Sequence, residues 1–391
     1  MIDNKTIRQV VINSKLFPCS GISYHEVTGS ICNFKTDLAA PLKSCEVTVT
    51  PTQSGTGDPL PTNPRPLNSF SSLTVEHTGA NICGGNALLS NCQNYLPTGT
   101  TDTVNKTFKF TSGTATDNGY SFASGIKFKA NTTYTVILSV EKSNSNSALN
   151  MRIRYTDGTN LDFSMPESYE VDTKYTVIFT SNASKTILDV RKSSVSGGTT
   201  LYYEECGIFE GSLTESDFAP YTADPHTIAL GSTVYGLTGD CMTGEFEETY
   251  KAVKFSSLNW TYQSNNTRFY TSDLANLIVK PETSGEKSDL LCDVYKTVSF
   301  SAFSNNNEIA VATSGNIFLR DTNYTTKEAF IEAMGDYYLC YPLATPSALS
   351  TDPVEVESFK GVNNIWCAQD NSNVAVEYRA DIDLLISELG G

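Results

Sequence analysis

A strand pattern is clearest in residues 133–140, Thr-Tyr-Thr-Val-Ile-Leu-Ser-Val, where polar and apolar side chains alternate. Successive side chains of a strand point to opposite faces of its sheet, so Tyr134, Val136 and Leu138 would share one face. Residues 174–178, Lys-Tyr-Thr-Val-Ile, repeat the motif. A single repetition does not make a solenoid, and it indicates two similarly buried strands of one β-sandwich.

The strand pattern continues on both sides of this stretch. Residues 107–110 form an alternating run, and Asp157-Gly158 lies between two further runs, which is the signal of a hairpin turn. No helical pattern interrupts the series. Residues 83–222 are therefore predicted to fold as a β-sandwich of the jelly-roll kind.

The flanking segments are also β-rich. Residues 1–82 are predicted to form an N-terminal β-rich segment, and residues 223–391 a C-terminal β-rich domain. One short helix is expected there, because Thr325 and Glu328 form a capping box and Gly335 follows as a stop signal. A second short helix is expected within residues 381–389. The predicted fold class is mainly β and multi-domain.

The stretch at residues 51–66 contains five prolines and two glycines, Gly55 and Gly57, which exclude a helix and a central strand. Composition leaves two interpretations open. The stretch is either a flexible linker or an ordered, tightly packed loop around Arg65.

Charge limits the partners. The chain has 391 residues, with 27 Lys+Arg and 43 Asp+Glu, for a net charge of -16. This balance argues against binding nucleic acid through its phosphates and against adsorption to an anionic membrane. No apolar run reaches the roughly 18 residues of a membrane span.

Catalytic motifs are missing from the sequence. There are three histidines, and His25-Glu26 lacks the second histidine of a zinc-protease motif. Neighbouring carboxylates such as Glu204 and Glu205 would point to opposite faces of a strand and could not act as an acid/base pair. We therefore expect no enzymatic activity and no cofactor.

Ten cysteines are scattered along the chain, and none forms a C-x-x-C pair. The even number is compatible with disulfides. Because the first residues show no signal-peptide pattern, we favour reduced cysteines used as small buried side chains.

Several blocks together resemble tail-associated structural proteins of phages and prophages from Firmicutes, many of them gut bacteria. The blocks are residues 33–45, 51–66, 233–237, 339–346 and 363–381. The resemblance implies a host-facing virion part of the tail, baseplate or fibre, assembled in the bacterial cytoplasm beside other virion proteins. It implies no catalytic residues, and it favours an ordered loop at residues 51–66.

The end of the middle segment resembles something else. Residues 201–212 and 218–221 are similar to the closing strand of carbohydrate-binding-module-like jelly rolls. Because the tail-protein blocks resume at about residue 226, we expect a sandwich inserted into an outer unit whose two parts, 1–82 and 223–391, are continuous in space.

This second resemblance implies binding of a host cell-surface glycan. Sugar binding needs an aromatic platform and a few polar groups. The candidate platforms are Tyr120, Tyr155, Tyr169, Tyr202 and Trp260. The resemblance also allows a structural calcium ion, with Asp102, Asp117 and Glu204 as candidate ligands, and it leaves the metal content unknown.

Two other functions stay open. The chain could be a head fibre or capsid decoration protein of the same virion, or a bacterial surface glycan-binding module. For a virion part we expect a homo-oligomer, with a trimer favoured, because a symmetric particle gives each copy equivalent neighbours.

Overall fold

The computed structural model describes residues 7–12, 15–22, 25–36, 39–83, 100–102, 107–111, 120–121, 127–143, 150–164, 173–193 and 200–378. Over these residues the protein is mainly β, with 27 strands and one short α-helix. The predicted fold class is confirmed. The helix predicted within residues 381–389 lies outside the described residues.

The strands follow in chain order. The first six are β1 (Ile7–Ile12), β2 (Lys15–Ile22), β3 (His25–Gly29), β4 (Ile31–Thr36), β5 (Ser44–Val49) and β6 (Phe70–Thr78). The middle nine are β7 (Thr100–Asp102), β8 (Thr107–Thr111), β9 (Tyr120–Ser121), β10 (Thr133–Ser143), β11 (Asn150–Tyr155), β12 (Asn160–Ser164), β13 (Thr173–Thr180), β14 (Ile187–Ser193) and β15 (Thr200–Glu210).

The remaining elements follow residue 211. The strands are β16 (His226–Val234), β17 (Gly236–Asp240), β18 (Glu245–Lys254), β19 (Thr261–Gln263), β20 (Arg268–Thr271), β21 (Leu291–Cys292), β22 (Lys296–Thr297), β23 (Glu308–Val311), β24 (Ile317–Arg320), β25 (Tyr338–Ser350), β26 (Gly361–Cys367) and β27 (Ser372–Tyr378). The helix is α1 (Lys327–Met334), and 3-10 turns lie at Glu215–Asp217, Phe255–Ser257 and Phe300–Ala302.

The middle segment forms two antiparallel sheets, with strand orders β13-β10-β15-β8-β7 and β12-β11-β14-β9. Phe163 of one sheet lies 6.2 Å from Phe179 of the other, measured between ring centroids. Tyr134 and Ile153 are buried as the alternation predicted. The hairpin at Asp157-Gly158 is confirmed, and Gly158 has the positive φ of 84° that its turn requires.

The outer unit mixes strands from both ends of the chain. One sheet has the order β16-β6-β26-β4 and the other the order β21-β25-β18-β17-β5-β27-β3. Their shared core contains Leu73 and Ile365 from the first sheet and Val47 and Val376 from the second. Strands β4 and β26 pair directly although they are more than 300 residues apart in sequence.

The two connections to the middle segment lie side by side. The Gly79 amide donates to the Thr222 carbonyl at 3.0 Å, and the Ile82 amide donates to the Ile208 carbonyl at 2.9 Å. A side chain at Gly79 would meet Thr222 Oγ1 at 2.5 Å, so any larger residue would require the Thr222 side chain to move. The segment between residues 79 and 222 therefore leaves and rejoins the outer unit at one place.

A smaller sheet has the order β19-β20-β24-β23-β22 and packs one face against α1. Phe330 of α1 is fully buried there. The predicted cap residue, Thr325, is wrong by one position. Thr326 is the N-cap, because its extended backbone lets Oγ1 accept from the Ala329 amide.

Gly335 does end the helix, but it keeps a right-handed φ of -60°. Glycine is needed there for space, since a Cβ would lie 2.4 Å from the Ile331 carbonyl oxygen.

The proline-rich stretch is an ordered loop rather than a linker. The Arg65 guanidinium donates to the carbonyls of Gln53, Ser54, Gly55 and Gly57 at 2.6–3.4 Å. The loop is tied to the C-terminal part as well, because the Asp293 carbonyl accepts from the Arg65 amide at 2.7 Å.

All seven cysteines whose side chains are described are buried. Burial raises the pKa of Cys32, Cys292 and Cys340 to about 12, so these thiols stay neutral and behave as small apolar groups. Among the described residues, none of the helices has the length and hydropathy of a membrane span.

Candidate functional site

The predicted aromatic platforms divide into buried and undescribed residues. Trp260 is 2% exposed, and its indole N–H donates to the Phe255 carbonyl at 3.0 Å. Tyr155 is 6% exposed, with Lys185 Nζ 5.5 Å from its ring centre. Neither ring presents an open face to a ligand, because each is packed in the interior.

The other predicted ligands are placed only in part. Tyr120 and Tyr202 lie on β9 and β15, at positions where the side chains are not described. Tyr169 lies outside the described residues.

For calcium, Asp102 and Glu204 lie on β7 and β15, and Asp117 is outside the described residues. In the described part of the chain no cluster of three or more His, Cys, Asp or Glu side chains could hold a metal ion.

A site that the sequence did not indicate lies on the outer face of the smaller sheet. Phe269 and Leu319 point into the core shared with α1. Side chains alternate along a strand, so Arg268, Tyr270 and Phe318 point the other way. We call this surface the aromatic–arginine face and define it by Arg268, Tyr270, Phe300, Phe303, Phe318 and Arg320.

Four rings form a continuous series on this face. Tyr270 and Phe318 stack with their centroids 5.9 Å apart. Phe300 lies 5.1 Å from Phe318 and 6.4 Å from Phe303. Tyr270 and Phe300 are partly exposed, whereas Phe303 and Phe318 are each 9% exposed. The accessible aromatic surface is therefore that of Tyr270 and Phe300, supported from beneath by the other two rings.

Two guanidinium groups cover the less exposed rings. Arg268 Cζ lies 4.5 Å from the Phe318 ring centre, and Arg320 Cζ lies 5.5 Å from that of Phe303. Both distances are within the range of cation–π attraction. Phe269 pairs with Leu319 in antiparallel register, so Arg268, which precedes Phe269, lies directly opposite Arg320, which follows Leu319.

The two arginines carry like charges on neighbouring strands. Burial and the nearby Arg320 charge both lower the pKa of Arg268. Like charges directly opposite each other on a sheet are destabilising. Glu308 lies opposite Arg320 on its other side, but its carboxylate accepts from the amides of Ser304 and Asn305 and from Asn305 Nδ2. No ion pair between Glu308 and either arginine is found among the described residues.

Polar groups surround the rings. Ser299, Ser301 and Asn305 lie at least partly exposed on the segment that connects β22 to β23, and Gln263 lies opposite Arg268. The Tyr270 hydroxyl has no partner among the described residues, and the residue is partly exposed. The face thus joins an aromatic surface to unfilled hydrogen-bond donors, which is the composition of a site for a polar ring compound.

The sequence carried a weak signal for this face. Arg268-Phe269-Tyr270 and Phe318-Leu319-Arg320 each place an arginine two residues from an aromatic, hence on the same side of a strand. The signal could not be interpreted without knowing that β20 and β24 are neighbours.

Comparisons with known proteins give partial structural similarity. A family 16 carbohydrate-binding module matches with a TM-score of 0.21 and 18% identity, over 27% of this chain and 76% of that one. A putative secreted protein from Parabacteroides distasonis matches with a TM-score of 0.14 and 11% identity, over 87% of this chain and 99% of that one. The structure of infectious bursal disease virus matches with a TM-score of 0.16 and 8% identity, over 94% of this chain and 80% of that one. No protein-family model and no curated protein matches the chain.

Proposed function

We propose that this chain is a non-enzymatic structural component of a phage virion, located at the tail, baseplate or fibre, that binds a glycan on the host surface. The sequence blocks at residues 33–66 and 339–381 support the virion assignment. The described side chains support binding rather than catalysis, since they offer a recognition surface.

The aromatic–arginine face carries the proposal. Tyr270 and Phe300 give the C–H faces of a sugar ring something to stack on, and the guanidinium and hydroxyl groups beside them can bond its oxygens. The ring series also limits the movement of Tyr270 and Phe300, because each of these rings contacts the buried ring of Phe318.

Assembly follows from the same proposal. A single shallow face binds weakly, and several copies on one particle would engage a surface together with much higher avidity. We expect a homo-oligomer, with a trimer favoured, held to other virion proteins by the outer unit. The protein would be assembled in the bacterial cytoplasm and function on the released particle.

A binding experiment on the full chain tests the glycan assignment. Purified protein is screened against an array of bacterial surface oligosaccharides, and the hits are titrated by calorimetry. Tyr270→Ala and Phe300→Ala should each weaken binding about 10-fold, which corresponds to about 1.4 kcal/mol. Tyr235→Ala, a partly exposed tyrosine of the outer unit, is the matched control and should leave binding unchanged.

If none of the oligosaccharides binds, the glycan assignment is refuted. Antibody labelling of intact particles tests the location. Labelling of the head rather than the tail would favour a decoration protein, and absence from particles would refute the virion assignment.

A further inference from the structure

We propose that the aromatic–arginine face selects saccharides that carry a carboxylate, with Arg268 and Arg320 as the pair that recognises it. This inference rests on the proposed glycan-binding function and narrows its ligand to acidic sugars. No sequence motif and no similarity to another protein pointed to these two residues.

The first argument is the unfilled hydrogen-bonding capacity of the two arginines. Arg268 donates from Nε to Gln263 Oε1 at 2.8 Å, and Arg320 donates from Nη1 to the Ser304 carbonyl at 3.0 Å. The Arg320 Nε is buried without a partner. A guanidinium has five N–H donors, so both groups keep donors that the described residues leave unused. Both residues are partly exposed, so their unused terminal N–H groups, rather than the buried Nε, are the donors open to a ligand oxygen.

The second argument is charge. Arg268 and Arg320 face each other across neighbouring strands, and the carboxylate of Glu308, the residue opposite Arg320 on its other side, is occupied by amide donors. Lys296, next along the row, is paired with Asp58 at 2.9 Å. The row therefore keeps a net positive charge in a chain whose net charge is -16. A carboxylate is the complement that this arrangement lacks, and it accepts two parallel bonds from a guanidinium.

The third argument concerns the ring that carries the carboxylate. The two arginines lie on the row next to Tyr270 and Phe318, so an anion bound by them would bring its own ring over the partly exposed aromatics. A simple inorganic anion would leave Tyr270 and Phe300 unused. The serine and asparagine side chains at the rim suit a ligand rich in hydroxyl groups.

Calorimetry on the full chain tests this selectivity with four probes. These are an oligogalacturonate, the neutral galactose oligomer of the same length, poly(glycerol phosphate) and poly-glutamate. We expect the oligogalacturonate to bind at least 10-fold more tightly than the other three. Its affinity should fall as salt rises, because the attraction is partly between exposed charges.

Variants assign the effect to the two arginines. Arg268→Gln and Arg320→Gln should each weaken oligogalacturonate binding about 10-fold and weaken binding of the neutral oligomer much less, so that the preference for the acidic oligomer falls. Arg152→Gln, on the sandwich, is the matched control. Arg268→Gln loses one side-chain hydrogen bond within a hairpin and the contact with the Phe318 ring. It therefore keeps the test valid if Arg320→Gln unfolds the protein.

The outcomes separate the inference from the function on which it rests. Equal or tighter binding of the neutral oligomer would overturn acid selectivity and leave glycan binding intact. Equal binding of the phosphate polymer or of poly-glutamate would overturn the saccharide carboxylate as the recognised group. Absence of binding to every saccharide would overturn both.

Discussion

At the scale of single residues, Arg65 shows how one side chain can order a loop rich in proline and glycine. Its guanidinium donates to four carbonyl oxygens that lie outside the regular strands. Arg65→Lys keeps the charge but loses the planar fork of donors. We expect a loss of about 1–2 kcal/mol in the free energy of unfolding and faster proteolysis within residues 51–66.

Urea unfolding and limited proteolysis with mass mapping measure these two effects. Arg152→Lys, which changes an arginine paired with Asp162, should shift neither. Unchanged proteolysis in Arg65→Lys would mean that backbone pairing alone orders the loop.

His77 predicts a pH effect. It is fully buried, and its Nε2 lies 2.8 Å from Asn363 Oδ1. That oxygen also accepts from the Phe359 amide, and the Asn363 amide nitrogen donates to the Phe359 carbonyl, which fixes the oxygen as the acceptor. Nε2 is therefore the donor. Nδ1 is buried without a partner. Burial lowers the pKa of His77, so the folded state holds it neutral where the unfolded chain is protonated.

The sign of the effect follows from proton linkage. Below the ordinary histidine pKa of about 6.5 the unfolded state binds the extra proton, so stability falls as pH falls through that region and is fully present above it. His77→Gln should flatten the dependence of unfolding free energy on pH between about 5 and 7, measured by urea titration at several pH values. An unaltered slope would assign the acid sensitivity to other groups.

At the scale of elements, Lys127 fixes the turn between β26 and β27. Its ammonium donates to the carbonyls of Cys367 and Gln369 and to Ser372 Oγ. These three bonds join the start of the sandwich to the outer unit. Ser372 Oγ also lies within bonding distance of both carbonyls, but it has a single hydrogen to donate. Lys127→Met would therefore leave one carbonyl short of a donor, and we expect a loss of about 1–3 kcal/mol.

Lys129→Met is the matched control. Lys129 lies two residues away but pairs with Glu210 at the surface, where an ion pair contributes about 1 kcal/mol or less. For Lys127→Met, differential scanning calorimetry should show either one unfolding transition at a lower temperature or two separate transitions. Equal effects of the two variants would mean that Lys127 is not a joint between the units.

Individual strands could be predicted from the sequence, and their neighbours could not. Alternation placed β10 and β13 correctly because one face of each is buried. The partner of β4 is β26, and no local pattern carries information about a pairing across more than 300 residues. The candidate site was missed for the same reason, since Arg268 and Arg320 form a pair only once β20 lies beside β24.

Burial also could not be judged from residue type. By residue type Trp260 is a candidate sugar platform, because exposed aromatics often have that role. Here Phe255 and Phe330 enclose it at 5.7 and 5.6 Å, and it stabilises the core beside α1. An aromatic residue is recognised as a platform only when its exposed face is known.

At the scale of the whole molecule, the chain topology predicts that the middle segment can be removed. Gly79 and Thr222 are joined by a backbone hydrogen bond, so residues 80–221 could be replaced by two or three glycines without moving the outer strands. The two sheets of the outer unit use strands that lie entirely outside the deletion. Loss of Lys127 exposes its carbonyl partners to water, which can satisfy them.

We therefore expect the deletion variant to unfold cooperatively and to keep the far-ultraviolet circular dichroism of a β protein. It should also keep the ligand affinity of the aromatic–arginine face, because that face lies on the smaller sheet. Residues 80–221 expressed alone should fold as a sandwich with its own core around Tyr134, Ile153 and Phe179. Some stability will be lost in the deletion variant, since Ile31 and Trp366 line the crevice against Tyr134 and become exposed. A non-cooperative or aggregated deletion variant would show that the outer unit needs the middle segment to fold.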